Sequence, residues 1–234
     1  MRALCYIGGR FQGEPGIMSQ SFSGHDLTCI RGERVVFAGL GFEVAAGGAL
    51  ILTGPNGSGK SSLLRLMAGL LQPEAGEMRR DGADVADDPA VHRSSLHYVG
   101  HKDAVKPVLS AAENLAFWAA MRGAAGAIET SLDALGLERL ADVPARFLSA
   151  GETRRLSLAR LVASPAPLWL LDEPTVVLDA RAVRLLAGLI ARHRAEGGMV
   201  VAATHTELGL GDETRLELAD FARPHQPALG AAAL

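Results

Sequence analysis

The run from residue 54 to residue 61 holds the first side chains whose types and spacing could do chemistry. It spells Gly-Pro-Asn-Gly-Ser-Gly-Lys-Ser, with four residues between its first glycine and the glycine before lysine. Glycines let backbone N–H groups curl around a phosphate, and a following helix would turn its positive N-terminus toward the same anion. Lys60 can reach β- and γ-phosphate oxygens, and the Ser61 hydroxyl can bind Mg²⁺. The predicted phosphate-binding residues are Gly54, Pro55, Asn56, Gly57, Ser58, Gly59, Lys60, Ser61 and Ser62.

An accidental match to this pattern is the alternative interpretation. The pattern arises by chance in about one chain in a hundred of this length. A continuous apolar run, Ala49–Thr53, precedes the loop, and apolar residues recur at helical spacing over 61–71. A strand, a loop and a helix in this order favour phosphate binding over a flexible turn.

Two adjacent acids, Asp172 and Glu173, follow the apolar run Leu-Trp-Leu-Leu over 168–171. In a parallel sheet, the end of such a strand lies at the ligand-binding edge. Because side chains alternate along a strand, the two carboxylates cannot do the same work. We expect Asp172 to hold Mg²⁺ through water, and Glu173 to orient and deprotonate the water that attacks the γ-phosphate. An isolated Asp-Glu-Pro would favour an ordinary acidic turn, but the phosphate loop upstream reverses that preference.

Alternating strands and helices must position these groups. Apolar runs at Ala49–Thr53, 168–171 and Met199–Ala203 are typical of strands buried on both faces, and a helical pattern covers 181–194. Short β-prone runs separated by glycine over 27–44 indicate antiparallel strands. The predicted fold class is therefore α/β, with a mostly parallel core sheet and an antiparallel β edge.

The boundaries follow from composition. An Ala- and Leu-rich segment at about 103–160 indicates an inserted helical subdomain within a domain that spans 21–220. Residues 1–20 are rich in glycine and lack periodicity, so we expect a mobile leader there. The Ala-, Pro- and Gly-containing residues 221–234 are expected to be a frayed tail.

Size, charge and cysteine content exclude several classes of protein. The chain has 234 residues, 48% of them hydrophobic, so it can bury a core but is too short for two full-sized domains. Its formal net charge of -3 leaves no basic face for nucleic acid or an anionic membrane. Cys5 and Cys29 lack metal or redox spacing, and no apolar run suits a membrane span. We therefore expect a protein of the reducing cytoplasm that meets a membrane only through a protein partner.

A second helix start carries the most specific motif. The run Leu-Ser-Ala-Gly-Glu over 148–152 ends twenty-one residues before Glu173. It resembles the Leu-Ser-Gly-Gly-Gln signature of ATP-binding-cassette (ABC) proteins, although Ser149 with Glu152 also fits a simple capping box. The order of phosphate loop, signature and acids favours the family, and the resemblance implies an ABC ATPase of the phosphate-loop NTPase class that uses ATP and Mg²⁺.

The resemblance also implies a homodimer. A second phosphate-binding helix start cannot reach the nucleotide held by the first loop of the same chain, so the family places it against the partner subunit's γ-phosphate. Ser149 and Gly151 would thus bind the partner's ATP. Asp179 resembles the end of the loop that contacts the partner. His205 resembles the switch histidine that hydrogen-bonds the γ-phosphate and helps to position the water.

Several positions depart from the common family pattern. Ala150 and Glu152 alter the signature, and an acid near the partner's nucleotide would weaken ATP affinity without abolishing function. Arg31 stands where an aromatic residue that stacks on adenine is expected, and a guanidinium plane can still stack on a base. His101 replaces the usual glutamine, and a neutral imidazole can ligate Mg²⁺ or hydrogen-bond the attacking water. We therefore place Arg31 with the ATP-binding residues and His101 with the catalytic ones.

These departures resemble one branch of the family. Tyr-Val-Gly-His ending at His101, with Lys-Pro and Glu-Asn-Leu-Ala-Phe-Trp motifs within 106–118, is similar to the haem-exporter ATP-binding subunit of the cytochrome c maturation system. So is the run that begins at Leu27. The resemblance implies a peripheral subunit at the cytoplasmic face of the bacterial inner membrane, bound to an integral membrane permease through 106–118. Phe117 and Trp118 would suit that contact or, equally, a helical core.

Three alternatives remain open. An ABC exporter ATPase could serve another cargo, such as a lipid, drug or lipoprotein. A soluble ABC protein that acts on ribosomes or DNA would be expected to carry two cassettes or a basic surface, and neither is present. An unrelated phosphate-loop kinase would leave the signature without meaning. The chain has no Cys-x-x-Cys-His motif, so the haem cargo rests on the resemblance alone.

Overall fold

The computed structural model describes residues 20–124 and 126–222. Most of the predicted leader and tail, 1–19 and 223–234, lies outside the described residues. The strands are β1 Ser21–Arg31, β2 Arg34–Ala45, β3 Ala49–Thr53, β4 Ala75–Arg80, β5 Ala83–Asp84, β6 Leu96–Val99, β7 Leu168–Asp172, β8 Met199–Ala203 and β9 Thr214–Glu217. The helices are α1 Lys60–Met67, α2 Pro89–Ser94, α3 Ala111–Met121, α4 Ile128–Ala134, α5 Ala150–Ala163 and α6 Ala180–Ala195.

A five-stranded parallel sheet, in the order β6-β7-β8-β3-β9, forms the centre of the fold. All residues of β7 and β8 are buried, because both faces of the sheet are covered. Leu168 and Leu170 pack into one core with α1, while Trp169 and Leu171 pack into a second core on the other face. The predicted buried parallel strands are therefore confirmed.

A four-stranded antiparallel sheet, in the order β2-β1-β4-β5, covers one face of this core. Phe22 and Phe37 are fully buried and share a core cluster with Leu63 and Leu64 of α1. Burial alternates at the end of β2: Phe42 is buried, the next residue is exposed, and the residue after that is buried again. That alternation is the period-2 pattern of a sheet with one solvated face, and it confirms the predicted antiparallel edge.

The helical insertion packs on the other core. Its helices α3, α4 and α5 lie within 111–163, and apolar residues of all three join the cluster that contains Trp169. Buried Asn114 at the start of α3 organises the preceding loop, since its amide bonds the backbone of Lys106, Leu109 and Ser110. The loop and α5 together hold the groups described below.

Helix α1 is shorter than the sequence pattern indicates. Apolar spacing predicts a helix as far as residue 71, but the helix ends at Met67, so that boundary is wrong. Gly69 adopts a left-handed conformation with φ +64°, and the N–H groups of Leu70 and Leu71 both bond the Arg65 carbonyl. This glycine-dependent cap closes the helix one turn early, although the apolar residues beyond it continue the helical spacing.

Two predictions about the cellular compartment, on the cysteines and on membrane-spanning segments, concern residues that the structure describes. Cys29 is buried in β1 as a free thiol, and burial raises its pKa, which fits an unreactive structural cysteine. Cys5 lies outside the described residues. Within 20–124 and 126–222, none of the helices combines the length and apolarity that a bilayer crossing requires.

Candidate functional site

The phosphate loop connects β3 to α1, as predicted. Lys60 is the first residue of α1, and its Nζ folds back to donate to the carbonyls of Gly54 at 2.6 Å and Pro55 at 3.2 Å. Among the described residues, no side chain caps this helix start, where Gly59 has φ +106°. The first N–H groups of α1 are therefore available to an anion, and the helix dipole favours a phosphate there.

The glycines of the loop are required by close packing at two positions. A Cβ on Gly54 would lie 2.8 Å from both Ser58 Oγ and Glu217 Oε1, and a Cβ on Gly59 would lie 2.6 Å from a Val36 methyl. Gly57 differs, because no described atom approaches its Cβ position and only its φ of +82° favours glycine. The loop is therefore shaped by the chain around it and left open at Gly57.

The first acid meets the loop serine. Ser61 donates its hydroxyl hydrogen bond to Asp172 Oδ1 at 3.0 Å, and Asp172 is only 3% exposed at the end of β7. A hydroxyl and a carboxylate are hard oxygen donors of the kind that Mg²⁺ accepts. The pair fits the predicted roles of Ser61 and Asp172 as metal-site residues.

The second acid turns away from the first. Glu173 has a left-handed φ of +47°, its N–H donates to the Ala203 carbonyl at 2.8 Å, and its Oε1 lies 3.5 Å from His205 Nε2. The same imidazole nitrogen lies 3.5 Å from Lys60 Nζ. A carboxylate, an imidazole and an ammonium thus converge, which is an arrangement that can hold a phosphate and a water beside a base.

The register of the parallel sheet explains this convergence. Ala203 of β8 pairs with Leu52 of β3 on one side and with Asp172 of β7 on the other. Strands β7 and β8 end at this row and β3 ends one residue later, at Thr53, so all three strands end at the same edge of the sheet. Parallel strands collect ligand-binding groups at their carboxyl ends in this way.

Arg31 lines the cavity of the phosphate loop together with Arg34, which the sequence analysis did not single out, and its contact with adenine stays a prediction. Arg31 and Arg34 are cross-strand partners at the β1–β2 turn, and both line a cavity of about 330 Å³ that also contains Lys60, Asp172 and Glu173. The sequence feature that could have identified Arg34 is its position across a two-residue turn from Arg31. Two guanidinium groups can therefore reach a base whose phosphates occupy the loop.

The signature run begins α5 as a capping box. Ser149 is exposed; its N–H and hydroxyl each donate to Glu152 Oε2 at 2.8 Å, and the Glu152 N–H donates back to Ser149 Oγ at 3.3 Å. These bonds from Ser149 lower the pKa of the Glu152 carboxyl. The capping interpretation describes the isolated chain, and contact with a partner's ATP stays a prediction.

Gly151 and the predicted partner-contact loop lie against each other. A Cβ on Gly151 would sit 3.0 Å from the Val177 carbonyl, and Val177 itself has a left-handed φ of +59°. Asp179, at the end of this loop, caps α6 by accepting from the Ala182 N–H at 2.7 Å. The structure thus joins Gly151 to the Asp179 loop, while the described contacts do not bring either to Lys60.

His101 lines a different cavity from the one at the phosphate loop. It is exposed and lines a separate cavity of about 820 Å³ between the parallel sheet and α3, with Tyr98 and Trp118. Among the described residues that line the phosphate-loop cavity, His101 is absent. Its catalytic role therefore stays a prediction, because no described contact joins His101 to the residues of the phosphate-loop cavity.

Arg154 of α5 is a residue near the site that sequence reasoning missed. Its guanidinium is 3% exposed and bonds the carbonyls of Asp172, Glu173 and Pro174. The sequence shows only an arginine on a predicted helix, and its contacts lie far along the chain. A buried arginine behind two functional carboxylates can set their backbone.

Comparisons with known proteins show the family of the chain. A family model described as ABC transporter matches residues 37–176. The cytochrome c biogenesis ATP-binding export protein CcmA of Rhodospirillum rubrum is 56% identical over 210 residues, covering 89% of this chain and 90% of the relative. The protein of the same name from Paramagnetospirillum magneticum is 54% identical over 211 residues, covering 88% of this chain and 97% of the relative.

Solved structures resemble the fold. A putative ABC transporter ATP-binding protein from Pyrococcus furiosus superposes with a TM-score of 0.75 at 20% identity, covering 87% of this chain and 100% of that one. A bacterial Atm1-family ABC exporter with ATP bound gives a TM-score of 0.74 at 26% identity, covering 85% of this chain and 37% of that one. The predicted α/β fold class is therefore confirmed.

Proposed function

The chain belongs to the ABC transporter family and is an ATPase, and from this premise we propose that it drives haem export for cytochrome c biogenesis. The convergence of Lys60, Glu173 and His205 at one sheet edge carries the hydrolytic part of the proposal. The similarity to CcmA, at 56% identity over 89% of the chain, supports the role in cytochrome c biogenesis. Haem as the cargo follows from the family resemblance of the motifs.

Hydrolysis follows from the positions of the side chains. The free N–H groups of α1 bind the phosphates, and Lys60 exchanges its bonds to the loop carbonyls for β- and γ-phosphate oxygens. Glu173 accepts the proton of the attacking water, while His205, beside it, donates a hydrogen bond to the γ-phosphate. Ser61 and Asp172 would hold Mg²⁺, which supplies charge stabilisation at the phosphates when it is bound.

Two copies complete the site in this proposal. The start of α5 is exposed at Ser149, and the adjacent loop exposes 45% of Val176 and 57% of Val177. Exposed apolar side chains beside a helix N-terminus suit an interface that closes over an anion. We place Ser149, Gly151 and Asp179 of each protomer against the ATP of the other.

The cavity beside His101 suits a membrane permease. Leu70 and Met121 on its rim are 55% and 65% exposed, and half-buried Trp118 contributes to the wall. The described lining contains no acid, and its cationic residues are Arg65, Arg93, Lys102, Arg122 and Arg160. A lining of apolar and cationic side chains fits a helix that carries acidic side chains. Contact with such a permease would place the subunit at the cytoplasmic face of the bacterial inner membrane.

Glu173→Gln tests the hydrolytic assignment. ATP turnover should fall about 100-fold or more, because an amide cannot take the water's proton. ATP-loaded dimers should accumulate, as measured by size-exclusion chromatography with light scattering. Glu196→Gln, a change at an exposed acid at the end of α6, should match the wild type. Unchanged turnover in Glu173→Gln would remove Glu173 from the mechanism.

Deletion of the gene tests the cargo. Covalent haem attachment to c-type cytochromes should be lost and should return with the wild-type copy but not with Glu173→Gln. A tagged wild-type copy should co-purify with an integral membrane permease. Normal c-type cytochromes in the deletion strain would instead favour an ABC exporter for another cargo.

A further inference from the structure

Arg154 connects three segments that the chain brings together from distant positions. Its Nη2 donates to the carbonyls of Asp172 and Glu173, both at 2.8 Å, and its Nε donates to the Pro174 carbonyl at 3.4 Å. Its Nη1 donates to the Gly100 carbonyl and to Asp103 Oδ1, both at 2.9 Å. The guanidinium fork is thus filled by acceptors.

These acceptors belong to functionally different parts of the molecule. Asp172 and Glu173 supply the two carboxylates of the phosphate site. Gly100 and Asp103 flank His101 in the loop that lines the large cavity. Arg154 itself lies in the first turns of α5, five residues after Ser149.

The bonds to the backbone constrain Glu173 in particular. Its φ of +47° is uncommon for a residue other than glycine, so the surrounding contacts must hold it there. Arg154 binds the carbonyl on either side of the Glu173 α-carbon, and the Ala203 carbonyl binds its N–H. Both peptide planes beside Glu173 are therefore fixed, and with them the direction of its side chain.

A lysine could not make this set of contacts. The guanidinium is planar and presents five donors in a rigid fork, whereas an ammonium is a point charge with three donors. With 3% exposure, water cannot replace a lost bond easily. The geometry of arginine, beyond its charge, is what the pocket uses.

We propose that Arg154 is a positioning residue for ATP hydrolysis, which holds Glu173 in its productive orientation and ties it to the α5 start and the His101 loop. The proposal rests on the role proposed above for Glu173. It implies that the helix start facing the partner's nucleotide and the protomer's own base move as one unit. A buried arginine that served only folding would not affect the chemical step selectively.

The test is Arg154→Lys, with Arg155→Lys as the matched control. Arg155 is the next residue of α5 and bonds the Leu135 and Gly136 carbonyls in the helical insertion, away from the carboxylates. For both variants kcat, KM for ATP, the Kd of a fluorescent ATP analogue and the melting temperature are measured.

Arg154→Lys should lower kcat about 10- to 100-fold, as displacement of a catalytic group does, with KM and Kd within about twofold of the wild type. Arg155→Lys should keep kcat within about twofold. An unchanged kcat in Arg154→Lys, or equal losses of kcat in the two variants, would overturn the proposal.

Asp103→Ala provides a second variant in a partly exposed loop, and it decides the matter if Arg154→Lys does not fold. Loss of the bond between Arg154 and Asp103 should lower kcat about threefold to tenfold without changing the Kd for the ATP analogue. Full kcat in Asp103→Ala would overturn the link to the His101 loop. Glu173→Gln is assayed alongside: if it retains turnover, the proposed base is wrong, whereas its inactivity beside an active Arg154→Lys defeats only the present inference.

Discussion

Two helix starts in this molecule suit phosphate, and they differ in what occupies their N–H groups. At α1 no described side chain caps the helix, and no described atom lies near the Cβ position of Gly57. At α5 the reciprocal bonds of the capping box already occupy the N–H groups of Ser149 and Glu152. The first start is therefore open to an anion in the single chain, whereas the second is stabilised by its own side chains and would meet a ligand only in the proposed dimer.

The largest expected effect is at the uncapped start. Lys60→Met should lower ATP turnover about 1000-fold and weaken ATP binding, because no other described lysine reaches the loop. Turnover and the Kd of a fluorescent ATP analogue measure both effects. Arg192→Met, which removes an exposed cation on α6, serves as control. Retained ATP binding in Lys60→Met would show that the two starts differ less than proposed.

The capped start should affect dimer chemistry without affecting first binding. Ser149→Ala should lower kcat about 10- to 100-fold while the Kd of the monomer for ATP changes less than twofold. Its control is Ser110→Ala, because Ser110 forms the same capping box with Glu113 at the start of α3. Each change should cost about 1 kcal/mol of unfolding free energy, measured by denaturant titration. Equal kcat in the two variants would reduce Ser149 to a helix cap.

A substitution at Glu152 should have a smaller effect and should strengthen dimerisation instead of weakening the chemistry of the dimer. Glu152→Gln can keep the capping box while it removes a negative charge from the start of α5. ATP-driven dimerisation should strengthen about threefold, since a surface charge interaction is worth less than about 1 kcal/mol. Sedimentation analysis of dimers formed with the Glu173→Gln background measures it, with Glu113→Gln as control. Weaker dimerisation would mean that the carboxylate helps the interface.

The smallest effect concerns acid stability. The pKa of Glu152 lies below its ordinary value of 4.5 because Ser149 donates to the ionised form. The unfolded chain therefore binds the proton more readily, so this contribution is complete above about pH 4.5 and is lost as pH falls below it. The melting temperature of the wild type should approach that of Glu152→Gln through that window. A constant difference between them below pH 4.5 would contradict the assigned cause.

The sequence predicts most of the fold because its signals are local. The strand at Ala49–Thr53 and the acids after 168–171 follow from apolar runs and from the glycine loop, and the structure brings Lys60, Asp172 and Glu173 together. Arg154 escapes such reasoning, since its acceptors lie up to 54 residues away in the chain. His101 shows the reverse case, in which motif position suggests the nucleotide but packing places the side chain on another cavity.

The neighbours of β3 have a consequence for synthesis of the protein. This strand carries the phosphate loop, and its two partners in the sheet are β8 and β9, at Met199–Ala203 and Thr214–Glu217. A ribosome releases the loop long before those partners exist, and pairing over such separations is slow. The nascent chain therefore completes the sheet around the phosphate loop only after residues 199–217 have left the ribosome.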